Sequence, residues 1–217
     1  MGQVSAYLSA LKIREYGRLG DITLESLRQA TLPYRLLPIS PDDGYVIDAN
    51  FDGSDENKGK FCIAWSTQRM STSFVGNVIH SDCTYKCVWN GYPITMMGFS
   101  DKDRKFHPVI LAVSTYETQA EFLFILQAWL RVNPSLNPKY LMADASEAVF
   151  NAAKLIWPNV VRLMCYAHVY MVSSPARTNR KLYALYLRSV RDTYISFFSF
   201  LKYRHELGFF IFRNLKY

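Results

Sequence analysis

The chain has 217 residues, of which 50% are hydrophobic and 20% are charged. This composition supports a folded core, excludes a largely disordered chain and, at this length, indicates one sizeable core with an appendage. The longest strongly apolar stretch, Tyr194 to Leu201, is far shorter than the roughly 20 residues that cross a bilayer. We therefore expect no membrane span, and the N-terminus shows no secretory signal. With no such signal, the four cysteines indicate a reducing compartment.

The net charge of +7 arises entirely from the C-terminal segment. Residues 1–170 contain 16 Lys and Arg against 16 Asp and Glu, whereas residues 171–217 contain 9 against 2. Basic side chains interleaved with tyrosines are typical of surfaces that neutralise phosphates and stack on bases. The alternative is an amphipathic helix with a solvated basic face. The candidate nucleic-acid-binding residues are Arg177, Arg180, Lys181, Arg188 and Arg191.

The first 60 residues read as a separate N-terminal segment. Apolar spacing predicts one or two short helices over residues 5–30, with Asp21 or Thr23 as an N-cap, and Tyr45–Ala49 has the composition of a short strand. Residues 50–60 are polar and turn-rich, which is typical of a linker. We therefore divide the chain into an N-terminal segment (1–60), a central domain (61–170) and a basic, aromatic-rich tail (171–217).

The central domain shows a regular alternation of strands and helices. The predicted strands are 78–88, 94–99, 106–114, 140–143 and 160–164. One helix is expected between the third and fourth strands with Thr115 as its N-cap, and Ser146 is expected to cap a second helix that ends at Ile156. The order β-β-β-α-β-α-β gives a mixed α/β sheet in which the first and fourth strands lie side by side. This is the ribonuclease H-like layout, and we expect helices on its faces, a small N-terminal helical segment and a helical basic tail.

Two aspartates occupy positions in this sheet that suggest chemistry. Asp82 lies within the first predicted strand, where aspartate is disfavoured, and Asp144 ends the apolar run YLMAD. If the first and fourth strands are neighbours, the two carboxylates converge, and a hard cation such as Mg²⁺ or Mn²⁺ would relieve their repulsion. The alternatives are a strand-bulge aspartate for Asp82 and a helix-capping residue for Asp144.

Cys165 and His168 form a C-x-x-H pair directly after the last predicted strand. A zinc site needs about four ligands, of which this pair supplies two, and no partner motif surrounds Cys83 and Cys87. We therefore favour a buried cysteine with a hydrogen-bonded histidine. A small structural zinc module remains an alternative, and it would require four convergent Cys and His ligands.

Three ordered motifs carry a family resemblance. The runs HSDCTYKCVWNGYPITMMGFSDKDRKFHPVILAVSTYET, YLMADASEAVFNAA and RLMCYAH occur in this order at residues 80–118, 140–153 and 162–168. Together they resemble the catalytic domain of Mutator-like element (MULE) transposases over roughly residues 61–170. The resemblance implies a DDE enzyme with a ribonuclease H-like fold that cuts and rejoins DNA with two divalent metal ions, Mg²⁺ or Mn²⁺.

The resemblance also assigns residues. It implies that Asp82 and Asp144 are the first and second metal-binding catalytic acids and that Cys165 and His168 are the family's C-x-x-H signature. In such enzymes the third acid is a glutamate on a helix well beyond this signature, and Glu206 is the glutamate available there. The sequence around Glu206 departs from the family pattern, so the catalytic triad is expected to be incomplete.

The resulting expectation is a MULE-type DDE transposase, a polynucleotidyl transferase or nuclease, present as a truncated copy. The alternative is a catalytically inactive, host-adopted or remnant module that binds DNA or protein. The implied partner is DNA, both transposon ends and target, and homo-oligomerisation is left open. We expect no membrane and no small-molecule substrate. The resemblance implies a nuclear location, although the sequence carries no clear targeting signal.

Overall fold

The computed structural model describes residues 23–53, 59–74, 76–85, 91–101, 103 and 105–165. None of the helices within these ranges has the length and hydrophobicity of a membrane span. The basic tail, with its five candidate binding residues, lies outside the described residues, as does the predicted helical region before residue 23. The proposed division into three regions therefore stays a prediction.

The described chain begins with a short helix, α1 (Leu24–Thr31), followed by a 3-10 helix (Leu32–Arg35). Thr23 is the N-cap of α1, which confirms one of the two predicted caps. Its side chain accepts a hydrogen bond from the Ser26 backbone N–H, and the Ser26 hydroxyl accepts one from the Thr23 N–H. This reciprocal capping box satisfies two of the helix's unpaired donors.

A seven-stranded mixed sheet forms the centre of the molecule, in the order β1-β2-β5-β4-β3-β6-β7. The predicted mixed sheet with surrounding helices is thereby confirmed, and from Val78 onward the elements follow the order β-β-β-α-β-α-β. The strands are β1 (Gly44–Asp52), β2 (Lys60–Thr67), β3 (Val78–Thr84), β4 (Ile94–Ser100), β5 (Phe106–Ser114), β6 (Tyr140–Ala143) and β7 (Val161–Met164).

The first strand of the sheet is longer than the sequence pattern indicated. β1 extends through Asp52 because its C-terminal half pairs antiparallel with β2, and Phe51 lies opposite Phe61. Part of the polar segment 50–60 therefore belongs to the two strands of this hairpin. The pairing places β1 at one edge of the sheet that also contains β3 and β6.

The helices are α2 (Gln68–Thr72), α3 (Gln119–Val132) and α4 (Glu147–Ile156). Thr115 was expected to cap the third helix, and this expectation is wrong, because the N-cap is Thr118, which forms a capping box with Glu121. Thr115 is engaged with β2 instead. Its hydroxyl accepts a hydrogen bond from the Phe61 N–H at 2.8 Å, and its own N–H donates to the Phe61 carbonyl at 2.9 Å.

Two hydrophobic clusters pack on opposite faces of the sheet. Helices α3 and α4 cover one face, where their apolar sides meet Ile79, Leu141 and Ala143. On the other face, a second cluster joins residues of β1, β2, β4 and β5, including Met96, with Leu27 of α1, which packs beside β1. This second cluster contains no residue of β3, β6 or β7, so the described residues leave that part of the face open.

Candidate functional site

The open part of the sheet carries Asp82. Side chains alternate between the two faces of a strand, and Ile79 of β3 faces α3 and α4, so Asp82 faces the opposite side. Its register partner on β4 is Met96, which belongs to the second cluster. Asp82 is therefore a partly buried carboxylate at the border between the covered and the open part of this face.

Asp144 follows the neighbouring strand directly. Strands β3 and β6 are neighbours, as the sequence predicted, and they pair in parallel with Val78 opposite Tyr140 and His80 opposite Met142. The pairing ends there. Continued by two residues, the same register would set Asp82 level with Asp144, at the carboxyl ends of two strands about 4.8 Å apart.

Asp144 also accepts a hydrogen bond within the turn that leads into α4, although the N–H it binds belongs to the N-cap residue itself, so this bond does not cap the helix. Its Oδ1 accepts a hydrogen bond from the Ser146 backbone N–H at 2.9 Å. Ser146 is the N-cap of α4 by position, but its side chain makes no capping hydrogen bond. Ser146 is therefore the N-cap residue, as expected, but its side chain does not cap the helix. A carboxylate offers about four acceptor sites, so this bond is compatible with a further ligand on Asp144.

Arg162 of β7 holds the turn that contains Asp144, a contact that sequence reasoning missed. Its guanidinium donates from Nη2 to the backbone carbonyls of Asp144 and Ser146, at 3.4 and 3.3 Å. Its Nη1 donates to Glu147 Oε1 at 2.5 Å. The fork of a single guanidinium thus reaches three acceptors on the β6–α4 turn.

A second group of polar side chains lies at the C-terminal end of β3. The Tyr85 hydroxyl donates a hydrogen bond to Glu117, which lies just before the N-cap of α3. Burial, followed by the Glu117 carboxylate, raises the pKa of Tyr85, and Asp144 contributes in the same direction. Burial likewise raises the pKa of Cys83, which lies within hydrogen-bonding distance of Thr95. No sequence signal pointed to the contact between Tyr85 and Glu117, which lie 32 positions apart.

His80 lies on the same face as Asp82, two residues earlier in β3. Burial lowers its pKa, so the neutral imidazole is favoured. Its ring contacts Phe106 edge-on, with 5.9 Å between the ring centroids.

The C-x-x-H pair is only partly described. The Cys165 N–H donates to the Ala143 carbonyl at 2.8 Å, which extends the parallel pairing of β6 and β7 by one step. The β6–β7 register, in which Ala143 lies opposite Met164, brings Cys165 level with Asp144. His168 lies outside the described residues, as does Glu206.

The donor set at this end of the sheet suits a hard divalent cation. Asp82 and Asp144 offer carboxylate oxygens, which are the ligands that Mg²⁺ and Mn²⁺ prefer. Within the part of the chain that the structure describes, no group of three or more His, Cys, Asp or Glu side chains is arranged to hold a metal ion. Water, a bound substrate or other parts of the chain would supply the remaining ligands of such a cation.

Comparison with known families supports the resemblance noted above. Residues 78–172 match the family model of the MULE transposase domain. The match begins at the first residue of β3 and includes the whole segment from β3 to β7. The resemblance to this family is thereby confirmed for that part of the chain. No curated protein matches the chain.

Proposed function

We propose that residues 78–172, which carry the MULE transposase domain, form the ribonuclease H-like catalytic core of a DDE transposase that acts on DNA. The observation that supports this most strongly is the parallel pairing of β3 with β6, because its register, continued past the last pair, would set Asp82 level with Asp144. Two acids side by side on one face of a sheet, at the carboxyl ends of parallel strands, form the arrangement that a metal-dependent phosphoryl-transfer site requires.

Asp82 and Asp144 are the residues that would hold Mg²⁺ or Mn²⁺ in this proposal. When bound, such ions polarise the phosphate and stabilise the charge on the attacking and leaving oxygens. The protein contributes a rigid scaffold for the two carboxylates. Asp82 lies within a strand that is paired on both sides, and Asp144 is fixed by its own hydrogen bond to the Ser146 N–H.

The proposed reaction begins with hydrolysis of a DNA phosphodiester. A water oxygen forms a bond to phosphorus, the bond from phosphorus to the 3′ oxygen breaks, and a proton from the water passes to that oxygen. The products are a 3′-hydroxyl and a 5′-phosphate. In strand transfer, the oxygen of this 3′-hydroxyl forms a bond to the phosphorus of a target phosphodiester. The bond from that phosphorus to its own 3′ oxygen breaks, and the proton of the attacking hydroxyl passes to the departing oxygen.

Glu206 is the proposed third acid, and the basic tail is the proposed DNA contact. Both lie outside the described residues, so their support is the sequence alone. The tail's 9 basic and 2 acidic residues would neutralise phosphates and release counterions. We therefore expect DNA affinity to fall steeply as the salt concentration rises. A nuclear location, which the family resemblance implies, belongs to the same proposal.

The alternative is an inactive transposase-derived module that binds DNA or protein, and it is favoured by the sequence around Glu206, which departs from the family pattern. Asp82 and Asp144 are joined by no third His, Cys, Asp or Glu in a metal-binding arrangement within the described ranges. A site that lacks one electrostatic contact to the transferring phosphate commonly loses a factor of about 100 or more in rate. Slow cleavage is therefore expected if Glu206 does not reach the other two acids.

The test is Mn²⁺-dependent nicking of a DNA duplex by the purified full chain. We expect slow nicking that Asp82→Ala and Asp144→Ala abolish, while Asp103→Ala, an exposed acid at the β4–β5 hairpin tip, leaves it unchanged. Loss of nicking in Glu206→Ala would identify the third acid. Salt-dependent DNA binding without nicking would support the inactive module, and nicking that survives both Asp82→Ala and Asp144→Ala would refute the proposed site.

A further inference from the structure

We infer that Arg162 is a positioning residue for Asp144, acting through the backbone of the β6–α4 turn. Arg162 lies on β7 opposite Leu141 of β6, and its side chain is only 19% exposed. From there the guanidinium reaches the carbonyls of Asp144 and Ser146 and the carboxylate of Glu147. This inference rests on the proposed function, because it concerns the geometry of a metal-binding Asp144.

The guanidinium is itself held in a fixed position. It lies over the Phe150 ring of α4, with 5.4 Å from Cζ to the ring centroid. A planar guanidinium that stacks on an aromatic ring and points its donors at several acceptors is orientationally restricted, unlike the flexible ammonium of lysine. Arg162 therefore ties the turn to both β7 and the first turns of α4.

The turn is thus held from two directions. Arg162 holds the carbonyls of Asp144 and Ser146, while the Ser146 N–H holds Oδ1 of the Asp144 carboxylate. The two carbonyl contacts are long, so each is weak alone, but they share one charged donor that a third, short contact to Glu147 anchors. Without Arg162, the turn could rotate and carry the Asp144 carboxylate away from Asp82.

Packing on Phe150 alone does not require an arginine at this position. Its Nε is buried and has no hydrogen-bond partner among the described residues. An unbranched apolar side chain such as methionine could pack on Phe150 without leaving a buried donor unpaired. The polar contacts to the turn are what distinguish arginine from that side chain.

The experiment compares Mn²⁺ affinity, measured by electron paramagnetic resonance, and amide hydrogen exchange at Ser146 in full-length variants. The test variants are Arg162→Met and Arg162→Lys. The control is Arg131→Met, which removes a 56% exposed arginine that is paired with Asp48 on β1, the edge strand at the opposite end of the sheet from β7. Asp144→Asn reports whether the bound Mn²⁺ depends on the proposed ligand.

We expect Arg162→Met to bind Mn²⁺ about 10-fold more weakly, as is typical when an outer contact of a metal ligand is lost. Exchange at the Ser146 amide should accelerate, while Arg131→Met behaves as the wild type. Arg162→Lys should fall between them because it keeps the charge and loses the fork. It also preserves the test if Arg162→Met does not fold.

Unchanged Mn²⁺ affinity and unchanged Ser146 exchange in a folded Arg162 variant would overturn the inference. Equal Mn²⁺ binding by the wild type and Asp144→Asn would instead overturn the proposed metal site. In that case the Ser146 exchange rate still decides whether Arg162 holds the turn, so the two failures are distinguishable.

Discussion

Gly98 offers a stringent test of the packing between β4 and β5 beside the candidate site. It pairs with His80 of β3 and with Pro108 of β5, at an irregularity between Met97 and Gly98 where the register shifts. A Cβ atom placed on Gly98 would lie 2.1 Å from the His107 carbonyl oxygen. Because the obstructing atom is backbone, Gly98→Ala can be accommodated only if β4 and β5 separate.

The expected loss in the free energy of unfolding of Gly98→Ala follows from this distance. Overpacking a well-filled site costs about 1–3 kcal/mol, and a backbone obstruction points to the upper end, about 3 kcal/mol. The loss of glycine's freedom in the unfolded chain returns about 0.4–1 kcal/mol, which leaves a net destabilisation of about 2 kcal/mol. With a urea m-value of about 2 kcal/mol/M, the midpoint should fall by about 1 M.

The assay is urea denaturation of the full chain, with Gly53→Ala as the matched control. At Gly53 the added Cβ would meet only Leu24 Cδ2, at an ordinary 4.0 Å. Its midpoint should therefore equal that of the wild type or rise slightly. A Gly98→Ala midpoint that equals that of Gly53→Ala would refute the close approach of β4 and β5.

Two further predictions concern side-chain contacts near the sheet ends. Tyr85→Phe removes the hydrogen bond to Glu117 and should lower the free energy of unfolding by about 1 kcal/mol. Tyr116→Phe is the control, and equal midpoints for the two variants would contradict this prediction. His107→Phe should move the pKa of Asp101 back toward its ordinary value, because the hydrogen bond from His107 is the main cause that lowers it. The depressed pKa of Asp101 stabilises the fold above about pH 4, so the free energies of unfolding of wild type and variant should differ at pH 7. They should converge as the pH falls through the pKa of Asp101 in the folded protein. A difference that persists at low pH would contradict this cause.

Local patterns predicted most of the elements from Val78 onward. The turn at Gly91 has a φ of 68°, a left-handed conformation that favours glycine, and Thr23 caps α1 as its position suggested. The errors arose from contacts between residues far apart in the sequence. Thr115 is 54 residues from Phe61, and its hydrogen bonds to β2 leave the capping of α3 to Thr118. The pairing of β1 with β2 likewise lengthened a strand that looked short in isolation.

The same difference between local patterns and long-range contacts applies to the candidate site. The strand order was sufficient to predict that β3 and β6 are neighbours, which the sheet topology confirms, while the convergence of Asp82 and Asp144 stays a prediction. The supporting residues could not be predicted, since their role depends on side-chain directions. Arg162 reaches the carbonyl of a residue 18 positions earlier, and Tyr85 reaches Glu117 across 32 positions.

The most direct test of a shared metal at Asp82 and Asp144 is anomalous diffraction from crystals of the full chain soaked in Mn²⁺. The predicted result is an Mn²⁺ peak about 2.0–2.6 Å from carboxylate oxygens of both residues, on the open face of β3 and β6. Carboxylate oxygens more than about 8 Å apart in a well-ordered sheet would contradict shared coordination, as would an Mn²⁺ ion bound elsewhere with neither aspartate as a ligand.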